Sequence, residues 1–257
     1  MDESVYGNKK RLRWIKSYLT AGDRILEIGC GTGVMISLPL AQEGYDITGY
    51  DDDMPSIKYG REVLDSYSLD RNILVSDLCS IVPGNYDVVI ASEVIEHIDN
   101  NDMKLFFDEI HRFLRPGGLF LATVPNGYGW FEFENIIWSK LYLGRILAFL
   151  YIDRAILEVK QALNLKNLIY THPSTLSSSP HLQRFTINSI CRLIEHSKFQ
   201  VSHSFGSTLI SGPISNMLFS GFPAFFGINN YLGDKLKYVA SGFYVASKSY
   251  EVDADVN

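Results

Sequence analysis

Two stretches of the sequence place ligand-accepting residue types at spacings that could do chemistry. In Leu26-Glu27-Ile28-Gly29-Cys30-Gly31-Thr32-Gly33, three glycines alternate behind a short apolar run. Glycine adopts left-handed backbone at little steric cost and lets the chain approach a ligand closely, while a helix opening behind it offers unpaired N–H groups. The chemistry implied is the cradling of a nucleotide-like cofactor. In Ser92-Glu93-Val94-Ile95-Glu96-His97, a helical conformation would set Glu93, Glu96 and His97 at i, i+3 and i+4 on one face. Two carboxylates and an imidazole are a donor set for a divalent metal ion. His181, in Ser179-Pro180-His181-Leu182-Gln183-Arg184-Phe185, is a further histidine able to reach the same edge. Without a metal, His97 or His181 would act as general base, with Glu96 a further catalytic candidate beside them.

Such loops need a scaffold that holds them side by side. A leading amphipathic helix is expected over residues 9–19, where Leu12, Ile15 and Leu19 recur at helical spacing. Strands are expected at 24–28, 46–50, 72–75, 86–91 and 119–124, with helices at about 55–66 and 102–114 and Gly44 closing another. Parallel strands require crossovers of this length. The nearly continuous apolar run 86–91 suits a strand buried on both faces, and Arg115-Pro116-Gly117-Gly118 reads as a stop and turn before the next strand. After a break, a helix at 187–196 and strands at 199–205 and 242–247 resume the alternation. The expectation is an α/β, doubly wound, mostly parallel seven-stranded sheet. Residues 1–127 form its core, 128–180 a helical aromatic-rich insertion after strand five, and 181–257 complete the sheet, with a second short insertion at about 209–238. Ligands of open α/β sheets gather at the carboxyl ends of the strands.

The glycine run with Glu27 ahead of it resembles the E-x-G-x-G-x-G loop of the Rossmann-like class I S-adenosylmethionine-dependent methyltransferases. The resemblance implies that Gly29, Gly31 and Gly33 line the cofactor, with Glu27 near its amino group. Asp51, at the end of the second strand, matches the acidic residue that accepts both ribose hydroxyls, a task suited to a carboxylate with several lone pairs and no donor. Ser76-Asp77-Leu78 resembles the pair that contacts the adenine, and Arg115–Gly118 the usual lead into strand five. Cys30, Asp52, Met54, Leu78, Ser92 and Glu93 complete the cofactor-binding set that the resemblance implies. Residues 24–126 carry it well and the remainder weakly. The E-x-x-E-H pattern resembles two metal-assisted subgroups, the ubiquinone-biosynthesis O-methyltransferases and the small-RNA 3′-terminal 2′-O-methyltransferases. By that likeness Glu93, Glu96, His97 and His181 are candidate ligands for Mg²⁺ or a similar ion. In the wider family the same pattern serves cofactor-side packing, so both readings stand.

The insertion crowds Trp130, Phe131, Phe133, Trp138, Tyr142, Phe149 and Tyr151 together, interrupted by Lys140, Arg145 and Arg154. It reads as a lid packed on the domain, as a cap over an apolar acceptor pocket, or as an interfacial helix in peripheral membrane contact through 128–152. The last draws on the likeness to the ubiquinone enzymes. The overall layout and the tail at 229–236 resemble methyltransferases of bacterial surface-polysaccharide synthesis. Together these imply O-methylation of a small-molecule, glycan or lipid-linked acceptor. The alternatives are RNA 3′-end methylation, a nicotinamide-dependent oxidoreductase, and a non-catalytic cofactor-binding module. The missing third glycine of G-x-G-x-x-G counts against the oxidoreductase.

Composition narrows the field. A formal charge of −6 over 257 residues argues against nucleic acid as partner, which calls for a clustered basic face. Cys30, Cys79 and Cys191 show no zinc spacing and read as reduced thiols. With no signal-type leader and no run of roughly 20 apolar residues, the expected location is cytoplasmic, or peripheral to the inner face of the membrane. His172, His196 and His203 are expected in loops or at the surface, and His111 solvated on its helix.

Overall fold

A computed structural model describes residues 3–163, 165, 173–177 and 179–250; His172 lies outside them. Strands β1 (Arg24–Ile28), β2 (Asp46–Tyr50), β3 (Leu74–Val75), β4 (Tyr86–Ser92), β5 (Leu114–Pro125), β6 (Phe199–Gly206) and β7 (Gly242–Ser249) form one sheet in the order β3-β2-β1-β4-β5-β7-β6. The pairs from β3 across to β5 are parallel, and β7 runs antiparallel to both β5 and β6. The chain order reverses between β1 and β4, and a ligand crevice opens at such a point.

Alternate residues of the central strands feed two cores, as a period of two requires. Ile25, Val88, Ile90 and Leu121 pack with Leu12 and Ile15 of α1 (Asn8–Lys16) and Leu40 of α2 (Ser37–Gln42). Leu26, Val89, Ala91 and Phe120 pack with Phe107 and Ile110 of α4 (Met103–Phe113) and Ile190 and Ile194 of α8 (Ile187–His196). Helices on both faces explain the unbroken apolar run of β4. A third cluster joins Ile57 and Leu64 of α3 (Met54–Ser66) to Leu74 and Cys30.

Several elements differ from the sequence expectation. The leading helix stops at Lys16, where the Ser17 hydroxyl donates to the Trp14 carbonyl and competes with the helical ladder. The third strand shortens to Leu74–Val75 because Asp70 caps a 3₁₀ turn over Arg71–Ile73. The fifth strand begins before the expected turn. Tyr86 pairs with Leu114 and Val88 with Leu119, so Arg115–Gly118 bulge out of the ladder, with Gly117 at φ 72° and Arg115 paired to Asp87 at 2.6 Å. His111 is half-buried rather than fully solvated: its ring stacks on Phe199 at 4.0 Å and its Nε2 lies 2.8 Å from the Ser197 carbonyl.

The first insertion is helical: α5 (Trp130–Asn135), a π-helical turn (Ile136–Lys140), α6 (Leu143–Phe149) and α7 (Ile152–Ala162). The second supplies α9 (Pro213–Phe219) and α10 (Pro223–Lys235). Two buried charges clasp them together. Glu134 accepts from the Ser215 N–H at 2.8 Å and from the Ser215 hydroxyl and the Trp130 indole, and Lys160 donates to the Met217 carbonyl at 2.6 Å. Lys10 does the same for α1: it donates to the carbonyls of Gly206 and Asn230 and pairs with Asp234 at 2.9 Å. Each buried charge is thereby compensated, as burial demands.

At the mouth of the crevice α3 presses against the glycine loop. A Cβ at Gly60 would stand 2.3 Å from the Thr32 carbonyl oxygen, which is backbone and has nowhere to move. Gly60→Ala is expected to destabilise the fold by about 2 kcal/mol, overpacking outweighing the better helix propensity of alanine. Urea denaturation measures it, and an unchanged midpoint would show that α3 can stand away from the loop.

Candidate active site

The glycine loop turns sharply at the end of β1. Gly29, Gly31 and Gly33 have φ of 71°, 56° and 70°, the left-handed region that glycine tolerates best. The N–H groups of Gly29 and Cys30 both donate to the Tyr50 carbonyl, at 2.8 and 2.9 Å. Asp51 accepts from the Gly31 N–H at 2.7 Å through one oxygen and from the Asp53 N–H at 2.9 Å through the other. Its carboxylate thus braces the loop beside the crevice, and burial raises its pKa. Asp52 and Met54 are exposed at the rim. The Cys30 side chain instead packs inward with Ile57 and Leu74, so only its backbone faces the loop surface.

Glu27 lies under the loop, buried and accepting from the Ser37 hydroxyl. Burial pushes its pKa up to about 7, against relief from that hydrogen bond and from Arg11. Asp77 is exposed and accepts from the Cys79 N–H, while Leu78 lines an apolar cavity of about 210 Å³ with Ile28, Tyr50, Ile98 and Phe106. The chain returning from the first insertion crosses the glycine loop. The Ser174 carbonyl accepts from the Thr32 N–H at 2.9 Å, Pro173 accepts from the Thr32 hydroxyl at 2.6 Å, and the Leu176 N–H donates to Ser56 at 2.9 Å. A Cβ at Gly31 would meet the Ser174 oxygen at 2.3 Å, so this strap requires glycine there.

The acidic-histidine segment is not one helix. β4 ends at Ser92, Glu93 takes φ 59°, and a 3₁₀ turn follows over Ile95–His97. A positive φ at a non-glycine residue is uncommon and marks a site where the surroundings dictate the backbone. This break sends the two glutamates apart, correcting the expectation of a shared face. Glu93 accepts from the Thr123 hydroxyl at 2.9 Å and lies 3.4 Å from Arg11, which also donates to Ser92 at 3.2 Å. Among the described residues, the group able to converge on a metal is Glu96, His97 and His181, whose donor atoms lie within 4.8 Å of one another. Glu93 is not part of it.

Glu96 is the unusual member of this trio. It is 1% exposed, and neither carboxylate oxygen has a hydrogen-bond partner. Burial, with the neighbouring Glu93 charge, raises its pKa well above the ordinary range. His97 Nε2 stands 3.8 Å from it, and its Nδ1 is 3.0 Å from the Pro180 carbonyl. The N–H groups of Leu182 and Gln183 donate to the Glu96 carbonyl, fastening the segment that carries His181 to this turn. His196 and His203 are exposed. Sequence reasoning missed Arg11, whose only signal is its place on the polar side of a basic leading helix, and Glu132, which meets His181 at 3.3 Å.

A seven-stranded sheet of this order, with β7 antiparallel and a glycine loop at the β1–β4 switch, is a doubly wound α/β fold of the kind that seats nucleotide-like cofactors. A methyltransferase-domain family model matches residues 7–204. The chain belongs to this family, the class I S-adenosylmethionine-dependent methyltransferases. It is 33% identical over 129 residues to a ubiquinone biosynthesis O-methyltransferase of Pseudomonas aeruginosa, a match covering 47% of this chain and 54% of that protein. The match thus spans about half the length of this curated relative. A methyltransferase from Methanosarcina mazei superposes with TM-score 0.55 at 19% identity, covering 92% of this chain and 97% of its own. The phosphoethanolamine N-methyltransferase 2 of Haemonchus contortus, in complex with S-adenosyl-L-methionine, shares the fold with TM-score 0.53 at 17% identity over 94% of this chain and 52% of its own. No helix of the described residues is long and apolar enough to cross a membrane.

Glu27 links this site to stability. Unfolded, it ionises near its ordinary 4.5; folded, near 7. The fold therefore prefers the protonated acid, and its contribution, complete below pH 4.5, is lost as pH rises to about 7. Glu27→Gln has no such loss and is expected to gain on the wild type by on the order of 3 kcal/mol between pH 4.5 and 8. Denaturation curves at both pH values check it, and equal losses in the two proteins would place the titration elsewhere.

Proposed function

We propose that the protein transfers the methyl group of S-adenosylmethionine to a hydroxyl oxygen of a small-molecule, glycan or lipid-linked acceptor. The observation that carries the reading is the buried, unpartnered Glu96 carboxylate facing two histidines beside the glycine loop. The 33% identity to the ubiquinone enzyme supports oxygen as the methylated atom. In this reading Gly29, Gly31 and Gly33 seat the methionine end of the cofactor, and Arg11 is the cation nearest Ser92 and Glu93 for its carboxylate. Asp51 takes the ribose through lone pairs left free by its two backbone bonds, and Tyr50 and Leu78 supply apolar surface for the base.

The trio fits a divalent cation. A buried carboxylate with no donor costs several kcal/mol unless a charge answers it, and one oxygen ligand with two imidazoles is a common donor set. Glu96, His97 and His181 would hold such an ion; two imidazoles suit a transition metal such as Mn²⁺ better than Mg²⁺, which favours oxygen donors. When bound, it supplies a Lewis acid that lowers the pKa of an acceptor hydroxyl. The protein's own work is to align acceptor and methyl group and to exclude water.

The first insertion supports an apolar acceptor, and peripheral contact with a membrane surface belongs to the same reading. Phe149 is 81% exposed, and Leu141 and Tyr151 stand open beside it. The Arg145 and Arg154 guanidinium groups lie 5.2 and 5.0 Å from the Tyr142 and Tyr151 rings, so each helix carries a cation against an aromatic of its own first turn.

Calorimetric titration of S-adenosylhomocysteine in EDTA tests the cofactor half of the reading; absence of binding would end it. Asp51→Ala is expected to weaken that binding tenfold or more through loss of charge-assisted ribose contacts, and an unchanged affinity would move the ribose elsewhere. Glu96→Gln is expected to abolish Mn²⁺ binding, measured by calorimetry in chelator-free buffer, while S-adenosylhomocysteine affinity stays intact. If that affinity collapses instead, Glu96 belongs to the cofactor pocket.

A further inference from the structure

We propose that Glu132 is the positioning residue of His181, fixing the tautomer and direction of its imidazole from the acceptor-side insertion. This rests on the reading of Glu96, His97 and His181 as a cation-holding set. The His181 ring meets His97 edge-on, with centroids 5.1 Å apart and planes at 64°, and its Nδ1 stands 3.3 Å from Glu132 Oε1. A neutral imidazole has one N–H and one lone pair, and a carboxylate only accepts. Glu132 therefore draws the hydrogen to Nδ1 and leaves the lone pair on Nε2. Metal-binding histidines are commonly oriented in this way by an acceptor behind the ring.

His97 shows the same logic with a different acceptor. Its Nδ1 faces the Pro180 carbonyl at 3.0 Å, so in the neutral ring the lone pair of Nε2 looks toward Glu96 Oε1 at 3.8 Å. His97 and His181 each have a pure acceptor at Nδ1, and a donor atom of each lies within 4.8 Å of a carboxylate that no hydrogen bond reaches. Lone pairs brought together in this way are relieved by a positive charge between them, a proton or a metal ion.

Glu132 is well placed to hold its partner. On α5 it stands two residues from Glu134, and residues so spaced point to different sides of a helix. Glu134 is anchored to Ser215 of the second insertion, while Glu132 reaches His181. α5 is thereby tied at one side to the second insertion and at the other to the trio. The aromatic insertion thus reaches the trio through Glu132, and its placement sets the direction of His181.

The test uses the full chain with ¹⁵N-labelled histidine at pH 8. Long-range ¹H–¹⁵N correlation reads the tautomer of His181, assigned with a His181→Asn variant, and calorimetry reads Mn²⁺ affinity. The wild type is expected to carry the hydrogen on Nδ1. Glu132→Ala is expected to shift His181 to a mixed or Nε2–H state and to weaken Mn²⁺ binding about tenfold. Glu132→Gln, whose amide oxygen still accepts, is expected to keep the tautomer and most of the affinity. An unchanged tautomer in Glu132→Ala, or a Gln variant as impaired as the Ala variant, overturns the assignment. If the wild type binds no Mn²⁺, the metal reading fails, and the tautomer comparison alone decides the role of Glu132.

Discussion

The site depends on one close contact, between Gly29 and Val94. Parallel pairing of β1 with β4 sets Ile28 beside Ala91, so the loops leaving the two strands start as neighbours. A Cβ at Gly29 would fall 2.5 Å from a Val94 methyl, so the two loops touch only because that position is glycine. Through this contact the glycine loop and the acidic-histidine turn become one surface. Gly33 against Leu74 and Gly60 against Thr32 repeat the device on the side of β3 and α3. The glycines therefore do more than bend the chain: they let three separate crossovers pack together at one edge of the sheet.

The frame was legible in the sequence because its signals are local or periodic. Alternation of apolar strands with helix-length crossovers gave the sheet, and the helix over 187–196 was read with the bounds it has. What was hidden depends on contacts between distant segments. Spacing alone grouped Glu93 with Glu96, yet the backbone at Glu93 turns left-handed where β4 meets Thr123 of β5. Arg11 precedes Ser92 by more than 80 residues, and Glu132 precedes His181 by 49. No local pattern announces such partners. The bulge at Arg115–Gly118 was half-legible: its proline and glycines marked a turn, but not the strand already begun at Leu114.

The insertions are held by polar chemistry more than by apolar packing. Large side chains of the first, such as Phe149 and Leu141, remain exposed, while Glu134 and Lys160 are buried and satisfied at its joints with the second. Buried charges held by neutral hydrogen-bond partners penalise every arrangement that takes those partners away. They hold α5 in a defined position while its neighbours keep their apolar surface available. The strap over Thr32 extends the same control to the cofactor loop.

Electrostatics complete the picture. Glu27, Asp51 and Glu96 all lie in or beside the crevice, and desolvation raises the pKa of each. Arg11 is the cation that reaches among them. Such a cavity penalises its own charges when empty and rewards a ligand that brings positive charge. S-adenosylmethionine carries a sulfonium and an ammonium, both suited to this field. Transfer of the methyl group discharges the sulfonium, so on the proposed reading the product would lose part of that attraction. On the proposed reading the ionised forms of these carboxyl groups, which burial disfavours, would favour the charged cofactor over its neutralised product.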